Sequence, residues 1–157
     1  QVGPREDVFR HPATPEVARL MGMLNVIDGV VEASEAKGVV LRWQGVHLRA
    51  AESSSVGAGG TARVGMRPEE LMILREAPVP SLGENLLPGI VTADRPQGYD
   101  HLLSFQVDQA GELTIRIPHP VVMRLQIQVG SRRVVAIRPE AIHVFASSGS
   151  TPAQPTS

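Results

Sequence analysis

Cysteine is absent from all 157 residues. Disulfides, thiolate nucleophiles and zinc-cysteine sites are excluded together. Lysine is nearly absent too: Lys37 is the only one among 15 basic residues. Aromatic residues make up 3% of the chain, and the formal net charge is −1. That balance offers no basic surface for nucleic acid or for an anionic membrane. No apolar run approaches the roughly 20 residues needed to span a bilayer. The opening QVGPREDVFRH carries acids and an early proline and does not read as a signal peptide.

What remains is a chain with 42% apolar and 20% charged residues, enough to build a real core. Only the stretch 1–22 reads as helical. Thr14 and Pro15 suit a helix start, Gly22 suits its end, and Val17, Leu20 and Met21 share one face. From Asn25 onward the pattern is that of strands. Short apolar or alternating runs fall at 26–33, 39–43, 46–50, 62–66, 71–74, 86–93, 102–107, 113–117, 134–137 and 142–145. Residues 53–60 form a Ser/Gly-rich loop and 77–83 a proline-bearing connector, while 118–126 has room for one helical turn. The tail 147–157 has too little apolar surface to order and is expected to be disordered.

Self-similarity sets the architecture. Asn25-Val-Ile-Asp-Gly29-Val-Val returns as Asn85-Leu-Leu-Pro-Gly89-Ile-Val. Arg67-Pro68-Glu69 returns as Arg138-Pro139-Glu140, each time followed by an apolar strand. Each repeat holds about five short strands, the size of a small Greek-key barrel of the OB type. The predicted fold is therefore all-β, with two OB-like units in tandem, at 23–80 and 81–146. Separate barrels and barrels that exchange strands are both open on the sequence. Proline holds the arginine before it extended and can begin a single helical turn, where a glutamate meets the positive end of the dipole. A structural role for Arg67, Pro68, Glu69, Pro139 and Glu140 is preferred over ligand binding, as it is for Asn25, Gly29 and Gly89.

Several chemistries fail on inspection. The run Gly57-Ala-Gly59-Gly60 lacks the following helix and nearby lysine of a phosphate loop. His11, His47, His101, His119 and His143 show no paired spacing typical of metal ligands. No nucleophile-base pair is legible. Trp43, Tyr99 and three phenylalanines are too sparse for a base-stacking platform, and packing is their default role. No catalytic residue, metal or cofactor is assigned.

Gln1, Gly3, Val8, Phe9, Pro12, Val17, Ala18, Gly22 and Asn25 fit a pattern that resembles the end of an ABC importer ATPase domain. The paired R-P-E repeats resemble TOBE (transport-associated OB) units, and the C-terminal one resembles molybdate- and sulfate-type subunits more than sugar-type ones. The resemblance implies that residues 1–22 are a helical remnant of the ATPase domain. It also implies a non-catalytic regulatory and dimerising role, in the cytoplasm and beside the inner membrane through a permease. ATP and magnesium would bind the preceding domain, and this chain is expected neither to bind nor to hydrolyse ATP. Its partners would be a second copy and, through the parent ATPase, the permease subunits.

An oxyanion sensor in the same architecture is the alternative, and a nucleic-acid-binding OB module is the second. Molybdate units resemble S-A-R-N before the N-x-x-x-G strand, with a lysine near the last strand. Here Leu82, Gly83, Glu84 and Asn85 stand at those positions, with Arg138 in place of the lysine. Ser81, Asn85 and Arg138 remain as candidate oxyanion donors. The charge of Glu84 opposes an anion, so weak or absent binding is expected.

Overall fold

A computed structural model describes residue 16 and residues 22–35, 38–52, 57–76 and 85–145. Most of the expected N-terminal helical region, the connector at 77–83, Ser81, Leu82 and Glu84, and the tail at 147–157 lie outside the described residues. Of the helical region, Glu16 is helical and Gly22 has a positive φ of 89°.

Ten strands form. They are β1 (Asn25–Glu35), β2 (Gly38–Trp43), β3 (Val46–Ala50), β4 (Thr61–Met66), β5 (Met72–Leu74), β6 (Asn85–Gln97), β7 (Asp100–Val107), β8 (Glu112–Pro118), β9 (Arg132–Ile137) and β10 (His143–Val144). One helix, α1 (His119–Leu125), follows β8, and 3-10 turns at Pro68–Glu70 and Pro139–Ala141 precede β5 and β10. The β6–β7 hairpin is longer than the apolar pattern suggested. Its ladder continues from Asp94↔Leu103 to Gln97↔Asp100, past the last alternating residue. No described helix is long and apolar enough to cross a membrane.

The strands make two five-stranded antiparallel sheets, ordered β10-β4-β1-β2-β3 and β5-β9-β6-β7-β8. Each sheet takes four strands from one repeat and its last from the other. The exchange passes through the R-P-E turns. Arg67 and Arg138 are extended (ψ 137° and 142°), and each is followed by proline at the start of a 3-10 turn. Neither turn leads back onto its own sheet. Leu71 and Ile142, which close the turns, are both buried, at 2% and 0% exposure.

Register shows how closely the repeats correspond. Asn25 is matched by Asn85, Leu41 by Phe105, Leu48 by Leu113 and Val64 by Val135. The numbering gap widens at each step, which locates the extra length of the second repeat: in the long β6–β7 hairpin, at the β7–β8 turn, and in the crossover carrying α1. Both long central strands are bulged at matching places, between Val31 and Ala33 in β1 and between Val91 and Ala93 in β6. A bulge bends and twists a strand, which helps each sheet to curl.

One core serves both sheets. Val39, Leu41 and Leu48 of the first sheet join Leu103, Phe105, Ile115 and Val135 of the second in a single apolar cluster. Trp43 is buried within it, whereas Tyr99 at the β6–β7 turn is 68% exposed. Burying each large side chain contributes about 1.5–3 kcal/mol, so neither sheet has an independent core to retreat to.

The repeated glycines are steric requirements. A Cβ on Gly89 would lie 2.2 Å from the Gln106 carbonyl oxygen and 2.7 Å from the Phe105 ring. On Gly29 the nearest contact would be the Arg42 carbonyl oxygen at 3.2 Å. Gly89→Ala is expected to destabilise the fold by about 1–3 kcal/mol, and Gly29→Ala by clearly less. Urea unfolding of the two variants checks the order.

Candidate functional site

An edge strand leaves backbone N–H and C=O groups without a ladder partner. Here two asparagines fill that gap. Asn25 opens β1, in the middle of the first sheet, and reaches the edge of the second. Its Nδ2 donates to the Thr114 carbonyl oxygen at 2.8 Å, and its Oδ1 accepts from the Thr114 N–H at 2.6 Å. Asn85 opens β6 and does the reverse. Its Oδ1 accepts from the Arg49 N–H at 2.7 Å, while Nδ2 donates to the carbonyl oxygens of Arg49 at 3.1 Å and Ile137 at 2.9 Å. A side-chain amide has one carbonyl and one NH2, so it can pair with a peptide group as another strand would.

Arg49 and Thr114 are equivalent by register, each directly following the matched pair Leu48 and Leu113. The two clasps are therefore one interaction made twice, in opposite directions. Asn25 is 4% exposed, one of two buried polar residues among those described. The first residue of the repeated motif thus joins the two sheets.

The candidate oxyanion donors are partly brought together. Asn85 pairs with Ile137 at the end of β9, and Arg138 follows directly, exposed. Ser81 lies outside the described residues. Both amide hydrogens of Asn85 are already donated to carbonyl oxygens. The exposed Arg49 sits at the other end of the same clasp.

The R-P-E turns hold the exchanged strands. The Ala51 N–H donates to the Pro139 carbonyl oxygen at 3.1 Å, fastening β3 to the second turn. Glu52 then grips β10: Oε1 accepts the Val144 N–H at 2.8 Å, and Oε2 lies 3.2 Å from His143 Nδ1. Glu69 and Glu140 are exposed on the first turns of the two 3-10 segments. Glu52 carried no sequence signal, because a lone acid after a strand has no periodic mark.

Histidines distant in sequence do meet. His101 Nδ1 is 2.7 Å from Asp94 Oδ1, and its Nε2 is 2.9 Å from His119 Nδ1. The His119 N–H donates to the Tyr99 carbonyl oxygen at 2.9 Å. These bonds pin the start of α1 to the β6–β7 hairpin. Among the described residues no group of three His, Cys, Asp or Glu side chains could hold a metal ion. At the opposite end of α1, Arg133 donates to the carbonyl oxygens of Leu125 and Gln126. On the outer face, Asp28 takes a two-pronged hydrogen bond from Arg63, and that bond raises the pKa of the guanidinium above its ordinary value.

Removing a clasp leaves backbone groups without a partner. Asn25→Ala is expected to cost about 1–3 kcal/mol, more than Asn85→Ala, whose site is partly open to water. Urea denaturation ranks the two. Amide exchange at Thr114 and Arg49 shows whether each loss is local to the strand the asparagine held.

The TOBE domain family matches residues 64–145. The molybdate/tungstate import ATP-binding protein WtpC of Thermococcus kodakarensis is 36% identical over 94 residues, covering 60% of this chain and 26% of that protein. The putrescine transport ATP-binding protein PotG of Escherichia coli is 35% identical over 80 residues, covering 50% of this chain and 21% of that protein. The chain thus spans only about a quarter of the length of these two relatives. Its fold resembles that of the cytoplasmic molybdate-binding protein ModG, with a TM-score of 0.71 and 17% identity over 78% of this chain and 96% of that one. With more than half of its residues inside the family match, this chain belongs to the TOBE domain family.

Proposed function

We propose that the chain is a non-catalytic regulatory and self-associating part of an ATP-binding subunit that powers solute import. The observation that carries the reading is the reciprocal exchange of β5 and β10, in a chain whose relatives are named as import or transport ATP-binding proteins. The exchange and the shared core make one body from two repeats, as suits a part that transmits contacts rather than performing chemistry. ATP and magnesium belong, in this reading, to the ATPase domain of the same subunit, and the permease is reached through that domain. The relatives' names mention molybdate or tungstate in one case and putrescine in the other. An oxyanion and a cation have little recognition chemistry in common, so the cargo is not assigned.

Self-association would use exposed apolar side chains. Leu24, Tyr99, Met123 and Val129 are between 45% and 68% exposed, and such residues promote contact when they cluster. Sedimentation over a wide concentration range is expected to show a reversible dimer. A monomer at every concentration would remove self-association as a property of this chain.

Oxyanion sensing is the second reading. Its support is the pair of exposed arginines, Arg49 and Arg138, on either side of Asn85 in the clasp. Against it, the Asn85 amide has no hydrogen left for a ligand unless the clasp opens. Calorimetric titration with molybdate, tungstate and sulfate is expected to show weak or no binding. Micromolar affinity that disappears in Arg138→Ala would make oxyanion sensing the first reading.

A further inference from the structure

The two repeats differ most where each exchanged strand faces the edge strand beside it. In the first sheet that seam, between β10 and β3, is closed by Glu52 and by the bond from Ala51 to Pro139. The register gives Met72 and Ile73 of the first repeat the places that His143 and Val144 take in the second. It gives Arg116 and Ile117 the places of Ala51 and Glu52. The carboxylate that closes the first seam is thus an isoleucine in the second. A groove of about 330 Å³ lies there, lined among others by Met72, Ile73, Arg116, Ile117, Val121 and Arg124.

Among the described residues, β5 is an edge strand whose outer side has no strand partner. On β10 the Phe145 N–H donates to Arg63 of β4, so the Val144 N–H points the other way, to Glu52. Strand alternation carries the same geometry to β5, directing the Ile73 N–H into the groove. The surroundings are largely apolar: Ile73 is 6% and Ile117 5% exposed, while Met72 is 43% exposed. The rim is mainly cationic. Arg116 and Arg124 line the groove, and beside it Arg75 donates to the Arg124 carbonyl oxygen at 3.1 Å. Glu69 is the acid among the lining residues.

We propose that this open seam is a docking site for an extended, acidic peptide segment of a partner protein. The segment adds to the outer edge of β5, places apolar side chains in the groove, and presents carboxylates to Arg116 and Arg124. The chain itself shows the type of contact, since in the matching seam the carboxylate of Glu52 accepts a main-chain N–H of the exchanged strand. Two guanidiniums against one carboxylate in the lining favour an acidic occupant over a neutral or basic one.

The test is a titration of the full 157-residue chain, labelled with nitrogen-15, with the peptide acetyl-Val-Glu-Val-Glu-Val-amide and with its lysine counterpart. The expected result is saturable movement of the Ile73, Leu74 and Ile117 amide signals with the glutamate peptide, and far weaker movement with the lysine one. Arg124→Glu, at an exposed helix position, should weaken glutamate-peptide binding on the order of tenfold, and Arg124→Lys should keep most of it. No saturable movement at these amides up to about 1 mM peptide would overturn the proposal. So would equal binding of the lysine peptide. Movement of the same signals with protein concentration alone would overturn it in favour of a second copy as the occupant.

Discussion

A strand at the edge of a sheet needs partners for its backbone, and at three of its four sheet edges this fold meets that need by borrowing from its other half. Asn25 supplies an amide to Thr114, Asn85 supplies one to Arg49, and each strand that completes a sheet arrives from the opposite repeat. Unmet hydrogen bonds in such places cost more than met ones return. The halves are therefore held together by what would be lost on parting as well as by the shared core. The glycines follow from the same closeness: Gly89 must let the Gln106 carbonyl and the Phe105 ring come within distances no side chain allows.

Local pattern made most of this fold readable. Apolar alternation marks all ten strands among the described residues, and proline after arginine marks both turns that re-aim the chain. The long β6–β7 hairpin was underestimated because Asp94 to Gln97 carry no alternating apolar residue; the ladder there continues through backbone pairing, with the Asp94–His101 bond across it. Strand exchange is not legible in the sequence, for a physical reason. A short apolar strand fits either sheet, and nothing in Met72-Ile73-Leu74 specifies which ladder it joins. The asparagines were noticed as a repeat, but their partners are backbone atoms of Thr114 and Arg49, which no side-chain pattern announces. Glu52 and the His101–His119 contact were missed likewise, since only the topology brings those residues together.

Duplication explains the likenesses, and divergence explains what is distinctive. Matching bulges show how one device was adapted twice. At the first, Glu32 pairs with Arg42 and His47; at the second, Thr92 hydrogen-bonds Glu112, the register equivalent of His47. The geometry is kept while charge is traded for a hydroxyl. The seams diverge further, with a carboxylate in one and an isoleucine in the other, so that two sheets of one origin present different surfaces.

Exchange of the terminal strands also sets an order in time. During synthesis β4 is made early, but the strand that covers its outer edge, β10, is among the last described residues to emerge. Until then the first sheet has an unprotected edge, and Leu71 and Ile73, both buried in the finished protein, have no second sheet to enter. Long-range pairings of this kind slow folding and prolong exposure of apolar strands. On a ribosome, the first half of this chain must wait for the second.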